Sequence, residues 1–138
     1  MPKFIADFFP NVANYWDIFL TALNATYQMF FIAGLITLLI GGTFGILLIV
    51  TKTDGIKPNR MIHFILEVIT NVFRAVPFII LLIFLIPFTR SIAGTSIGVK
   101  GAIVPLVFGA VPFYTRQVET ALADVNPGKI EAARSMGS

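Results

Sequence analysis

Long apolar runs alternate with short polar breaks, and the breaks mark out three membrane-crossing segments. The first uncharged run, Tyr27 to Val50, holds 24 residues. As a helix rising about 1.5 Å per residue it crosses ~30 Å of hydrocarbon. Gly34, Thr37, Gly41 and Gly45 recur at i, i+3, i+7 and i+11, which predicts one face of small residues where another helix packs closely. Lys52, Asp54, Lys57 and Arg60 then make a short polar loop, with Gly55 and Pro58 as turn residues. Ahead of the first run, residues 1–22 mix Phe8, Phe9, Tyr15, Trp16 and Phe19 with Asp7, Asn11, Asn14 and Asp17. That composition suits a membrane interface.

The second apolar stretch runs from Met61 to Phe88, with a helix expected over about residues 64–87. One straight helix over the whole stretch would span ~40 Å, so it must tilt or bend. Pro77 removes a backbone hydrogen bond and predicts a bend near Phe73. His63, Glu67, Thr70, Asn71 and Arg74 fall on a single stripe of an otherwise apolar helix. An arginine at that depth should snorkel, pair or face protein, and Glu67 is its candidate partner. The stripe has three readings. It packs against other helices or borders a polar path; it relays protons through His63, Glu67 and Arg74; or His63 and Glu67, at i,i+4, ligate a metal for which no third ligand is evident. The first is favoured.

A second loop is expected over Phe88 to Lys100, with Arg90, Gly94, Thr95, Ser96 and Gly98. The third helix is expected over 101–123, with Pro105, Gly109 and Pro112 interrupting its first half. Arg116, Gln117, Glu119 and Thr120 read as its polar exit to the interface.

Composition agrees with this pattern. Of 138 residues 57% are hydrophobic and 12% charged, about half the charge of a soluble domain, so the class is an all-α integral membrane protein in a lipid bilayer. Cysteine is absent, which excludes disulfides and thiolate chemistry. The net charge of +3 is dispersed between apolar runs and gives no nucleic-acid surface. Lys52, Lys57, Arg60, Lys129 and Arg134 fall on one side of the membrane, and Lys3, Arg90 and Lys100 on the other. The positive-inside rule then puts the first group in the cytoplasm and the N-terminus outside. No nucleophile–base pair or metal set is evident, so the chain is not read as an enzyme and no cofactor is assigned.

The segment 124–138 is different in kind. Asn126 suits a helix N-cap and Pro127 the first helical position. Ile130, Ala133 and Gly137 then share one nearly smooth face, and Glu131 and Arg134 are spaced to pair. By itself this is a short polar helix after an apolar one.

Glu131-Ala132-Ala133, three residues, then Gly137 resembles the start of the EAA loop of ABC importer permeases. Asn71-Val-Phe-Arg-Ala-Val-Pro-Phe resembles the Phe-Arg-x-x-Pro segment of the amino-acid permeases. Ile86-Pro-Phe-Thr-Arg, Gly94-Thr-Ser-Ile-Gly, Ala102-Ile-Val-Pro-Leu and Pro112-Phe, leading to Arg116-x-Val-Glu119, are similar to the methionine-type branch. The likeness covers roughly residues 23–137. It implies three helices of a type-I permease working by alternating access, as a homodimer with two ATP-binding subunits and a substrate-binding protein. It also implies that Ile130, Glu131, Ala132, Ala133 and Gly137 contact the ATPase, while Glu67, Asn71 and Arg74 remain a candidate stripe or pathway. Family members have about five membrane helices and an EAA loop that continues to Ile-x-Leu-Pro, whereas this sequence ends at Ser138. The expectation is a gene fragment or partial assembly. The alternative function is a non-transporting scaffold or inactive remnant.

Overall fold

The structure, a computed structural model, describes residues 2–137. Met1 and Ser138, the outer ends of the two expected terminal segments, lie outside the described residues. All regular structure among the described residues is helical: α1 Lys3–Phe8, α2 Pro10–Asn14, α3 Trp16–Thr51, α4 Arg60–Ala75, α5 Phe78–Phe84, α6 Ile86–Ala93, α7 Gly98–Ala123 and α8 Pro127–Ser135.

Helix α3 has 36 residues and begins well before Tyr27. No glycine or proline interrupts Trp16 to Phe31, and Asp17 in the first turn favours a helix start. Its core face is Ala33, Thr37, Gly41, Gly45, Leu48 and Thr51. Ala33 thus takes the place expected of Gly34, whose Cα has no atom within 4 Å of an added Cβ. This face lies along α7. A Cβ on Gly41 would meet Tyr114 Cδ1 and the Val111 carbonyl, and one on Gly45 would meet Val118 and the Thr115 carbonyl. Residue numbers rise together on both helices, so α3 and α7 run parallel. Their C-terminal ends therefore share one side of the fold. At the seam Leu48 and Thr115 are fully buried, and Thr115 Oγ1 donates to the Val111 carbonyl within its own helix.

Pro105 and Pro112 were expected to interrupt the third segment, but α7 continues through both and starts at Gly98. Both prolines are buried. Neighbouring helices hold the rod where the proline-freed carbonyls would otherwise weaken it.

The second segment departs most from a simple span. Helix α4 stops at Ala75, and α5 leaves at 103° to it. The turn is at Val76 and Pro77, one helical turn beyond the expected bend at Phe73. Proline disfavours the helical region for the residue before it, and Val76 is accordingly extended, with φ −78° and ψ 125°. Once Val76 leaves the helix the rod ends rather than curves. Among the described residues two helices are therefore long and apolar enough to cross a membrane, α3 and α7, with a third crossing only if α4 and α5 form one broken span.

The expected loop over residues 88–100 is also shorter. Helix α6 starts with Pro87 in its first turn and runs to Ala93, where Gly94 closes it in the left-handed conformation at φ +78°. Phe108 of α7 packs against Phe73 of α4 and Phe88 of α6, with ring centroids 5.8 and 5.4 Å apart. This aromatic cluster holds the broken segment against α7.

Candidate functional site

Three features carry polar chemistry. The first is a charged junction where α4, α7 and the end of α3 meet. Arg116 of α7 pairs with Glu119 one turn on, and it also donates to Asn71 Oδ1 of α4. Its Nη2 lies 3.8 Å from Glu67 Oε1. Glu67 Oε2 is 3.7 Å from His63 Nε2, and His63 Nδ1–H donates to the Leu48 carbonyl of α3 at 3.0 Å. The i,i+4 and i,i+8 spacing on α4 puts these groups on the face toward α7 and α3. Arg116 is buried to 17% side-chain exposure, Glu119 to 21%, while Glu67 keeps 44%.

The stripe therefore splits. Glu67 pairs with Arg116 and lies beside His63, and is not paired with Arg74 as the sequence suggested. The reason is the missing complement: α7 brings a guanidinium alongside α4, closer than Arg74 two turns along the same helix. Arg116 and Glu119 looked like an interfacial exit. Their i,i+3 pairing, set against a polar stripe on α4 that needed a counterpart, was the available signal. The guanidinium beside Glu67 also repels a cation from the His63–Glu67 pair.

The second feature is the elbow between α4 and α5. Arg74 is exposed and has neither an ion pair nor a side-chain hydrogen bond among the described residues. It lies in a cleft of about 360 Å³ with Phe73, Val76, Phe78, Leu81, Gly109 and Phe113. Gly109 leaves room for the Phe78 ring, since a Cβ there would sit 2.9 Å from Phe78 Cδ2. A lone arginine deep in a membrane costs about 2.5–3.5 kcal/mol on insertion scales, so this position needs an anion, water or protein against it.

The third feature is α8. Asn126 caps it, with Oδ1 accepting from Gly128 N–H at 2.8 Å, and Pro127 is its first residue. Ile130 and Ala133 face Ile56 of the α3–α4 loop across an open depression of about 340 Å³, with Lys129 and Arg134 at its rim. The α3–α4 loop and α8 are thus neighbours, and their basic residues cluster at one end of the fold. Glu131 and Arg134 make no ion pair among the described residues. Glu131 and Ala132 are exposed. The helix ends at Ser135, and Gly137 turns out of it at φ +89°, so Gly137 closes the helix rather than extending the Ile130–Ala133 face.

These features define a helical, membrane-spanning component with a short polar helix displayed at one end. The chain belongs to the family of binding-protein-dependent transport system inner membrane components, which matches residues 41–138. It is 49% identical over 113 residues to the D-methionine transport system permease protein MetI of Yersinia pestis, covering 82% of this chain and 52% of that protein. The same figures hold for the protein of that name from Escherichia coli strain K12. The probable D-methionine transport system permease protein MetI of Vibrio cholerae is 43% identical over 122 residues, with 88% and 54% covered. Among solved structures, the native crystal form of the inward-facing MetNI methionine ABC transporter matches with a TM-score of 0.83 at 46% identity, covering 86% of this chain and 55% of that one. The chain spans about half the length of the curated relatives it matches.

Proposed function

We propose that the chain is permease sequence of an ATP-driven importer for methionine or a related amino acid. It forms a substrate path by alternating access and performs no bond chemistry itself. ATP hydrolysis resides on a separate ABC subunit, substrate arrives on a binding protein, and two permease copies pair. Helix α8 is the coupling element, with Ile130, Glu131, Ala132, Ala133 and Gly137 as its contact residues. The 49% identity to D-methionine permeases is the observation that carries this reading.

A chimaera tests it. The matching 113 residues of the Escherichia coli relative are replaced by those of this chain. The chimaera is expressed in cells lacking their own methionine importers, and labelled methionine uptake is measured. ATP-dependent uptake is expected. A chimaera that inserts and assembles with the ATPase but takes up no methionine overturns the reading in favour of a non-transporting scaffold.

The orientation is part of the proposal. Parallel α3 and α7 put Lys52, Lys57, Arg60, Lys129 and Arg134 at one end, and the positive-inside rule makes that end cytoplasmic, with the N-terminus outside. Single cysteines at Asn59 and Ser135 should be shielded from impermeant thiol reagents in intact cells, and one at Ser96 labelled. Labelling of Ser135→Cys from outside refutes it.

A further inference from the structure

We infer that Arg74 recognises the carboxylate of the transported amino acid, in the cleft formed where α4 breaks from α5. This rests on the importer reading above and names the residue that reads its substrate's charge.

The first support is depth. Arg74 lies fourteen residues beyond Arg60, the start of α4, so it stands about 21 Å along the helix from the basic end. Gly109, on the opposite wall of the cleft, is also fourteen residues from the end of α7, which gives the same depth. With the start of α4 at the membrane surface, that depth falls inside a hydrocarbon layer of ~30 Å.

The second support is the missing counter-charge. The sequence has seven acids. Glu67 and Glu119 are engaged by Arg116. Asp54 pairs with Lys52 in the α3–α4 loop. Asp7, Asp17, Asp124 and Glu131 lie on terminal helices or at helix ends, away from the elbow. Among the described residues no acid meets Arg74, and an importer's path supplies a carboxylate with each substrate molecule.

The third support is the shape and chemistry of the walls. Phe73, Val76, Phe78, Leu81 and Phe113 give an apolar lining suited to an aliphatic or thioether side chain. The volume of about 360 Å³ falls in the range of roughly 300–1,000 Å³ usual for small-molecule sites. Helix α4 also ends at this cleft, and the carbonyls of a last turn have no intrahelical donors. Apolar walls and one cation together match an amino acid with a free carboxylate and a hydrophobic side chain.

The test uses the absence of native cysteine, which makes a single introduced thiol the only one labelled. Phe113→Cys places it on the cleft wall, at a position that is 59% exposed. The rate of maleimide labelling of the full chain in membranes is measured with methionine and with methioninamide, which lacks the carboxylate. Methionine should slow labelling saturably, and methioninamide should not. Adding Arg74→Gln should weaken protection by about tenfold or more, the effect of losing one charge-assisted hydrogen bond. Arg74→Lys should keep part of it. Equal protection by both compounds, none by either, or undiminished protection in Arg74→Gln overturns the inference. Uptake by the chimaera separates the two claims. If it imports methionine and Arg74→Gln in it leaves the rate unchanged, the Arg74 assignment fails and the importer reading stands. If the unmutated chimaera imports nothing, the importer reading fails.

Discussion

Gly45 offers the sharpest test of how α3 meets α7. A Cβ there would lie 2.6 Å from Val118 Cβ and 2.9 Å from the Thr115 carbonyl oxygen. Comfortable carbon–carbon separation is about 3.5–4.0 Å, so something must move by roughly 1 Å. Val118 is β-branched and stiff, and the Thr115 oxygen belongs to the α7 backbone, so the helices themselves must part. Overpacking of this kind costs about 1–3 kcal/mol. Against it stands the gain of about 0.8–1 kcal/mol from replacing a helical glycine by alanine. Gly34→Ala supplies the control, because it makes the same exchange on the same helix with nothing within 4 Å. Gly34→Ala should be neutral or stabilising, and Gly45→Ala less stable than it by about 1–3 kcal/mol. Gly41→Ala should fall between them, since its closest neighbour is the Tyr114 ring, which can swing, although the Val111 oxygen at 3.2 Å cannot. Unfolding in mixed detergent, followed by the emission of the single tryptophan, gives the three values. Equal stability of the Gly34 and Gly45 variants would refute the parallel glycine seam.

Four more perturbations follow from the geometry. A double-mutant cycle on Arg116 and Glu119 should show coupling of about 0.5–2 kcal/mol, and one on Arg116 and Glu67 less, because Glu67 is more exposed and further away; the reverse order would overturn the junction as described. Pro77→Ala should let α4 run on toward α5, so that spin labels at Met61 and Ile83 move apart toward about 33 Å, the length of a straight helix between them; an unchanged distance would show that packing, not the proline, makes the elbow. Ala133→Leu should loosen ATPase association or uncouple ATP hydrolysis in the chimaera without altering insertion, and unchanged coupling would remove Ala133 from the contact. At Gly137, alanine as damaging as leucine would point to the left-handed turn at φ +89°, while damage by leucine alone would point to bulk.

What could be read in the sequence, and what could not, divides by the range of the interaction. The apolar runs, the Asn126 cap with Pro127 behind it, and the small-residue character of α3 rest on local chemistry, and each was legible. The register of the α3 face was legible only to within one residue. Glycines drew attention to Gly34, but Ala33 is as small and sits where the 3.6-residue repeat meets α7. Proline effects were legible in kind but not in degree. Pro77 ends a helix because Val76 is free to extend, while Pro105 and Pro112 are tolerated because buried neighbours hold α7 together. The partner of Glu67 was not legible. It depends on which helix of the fold lies opposite α4, and sequence spacing along one helix cannot supply that. Arg116 is 49 residues from Glu67 and 45 from Asn71, which removes it from any local pattern.

These tertiary contacts also give the proposed coupling a route. Only Asp124, Val125 and Asn126 separate α7 from α8, and the Asp124 and Val125 amides bond back to α7 carbonyls. A link that short and that tied cannot absorb a displacement of α8, so α7 must follow. Along its length α7 meets α3 through Gly41 and Gly45, where the backbones are already at their limit of approach and compression is not available. It meets α4 through the Phe73–Phe108 ring contact and through Arg116, a charged contact that can lengthen or exchange partners at lower cost than a backbone seam. Motion entering at α8 should thus carry α3 and α7 as one body and be taken up against α4. The break at Val76 and Pro77 then concentrates that motion at the elbow, between Phe78 and Gly109, on the wall of the cleft that contains Arg74. Backbone-to-backbone contact on one side of α7, and side-chain contacts that can adjust on the other, make the elbow, rather than the α3 seam, the place where a path would open.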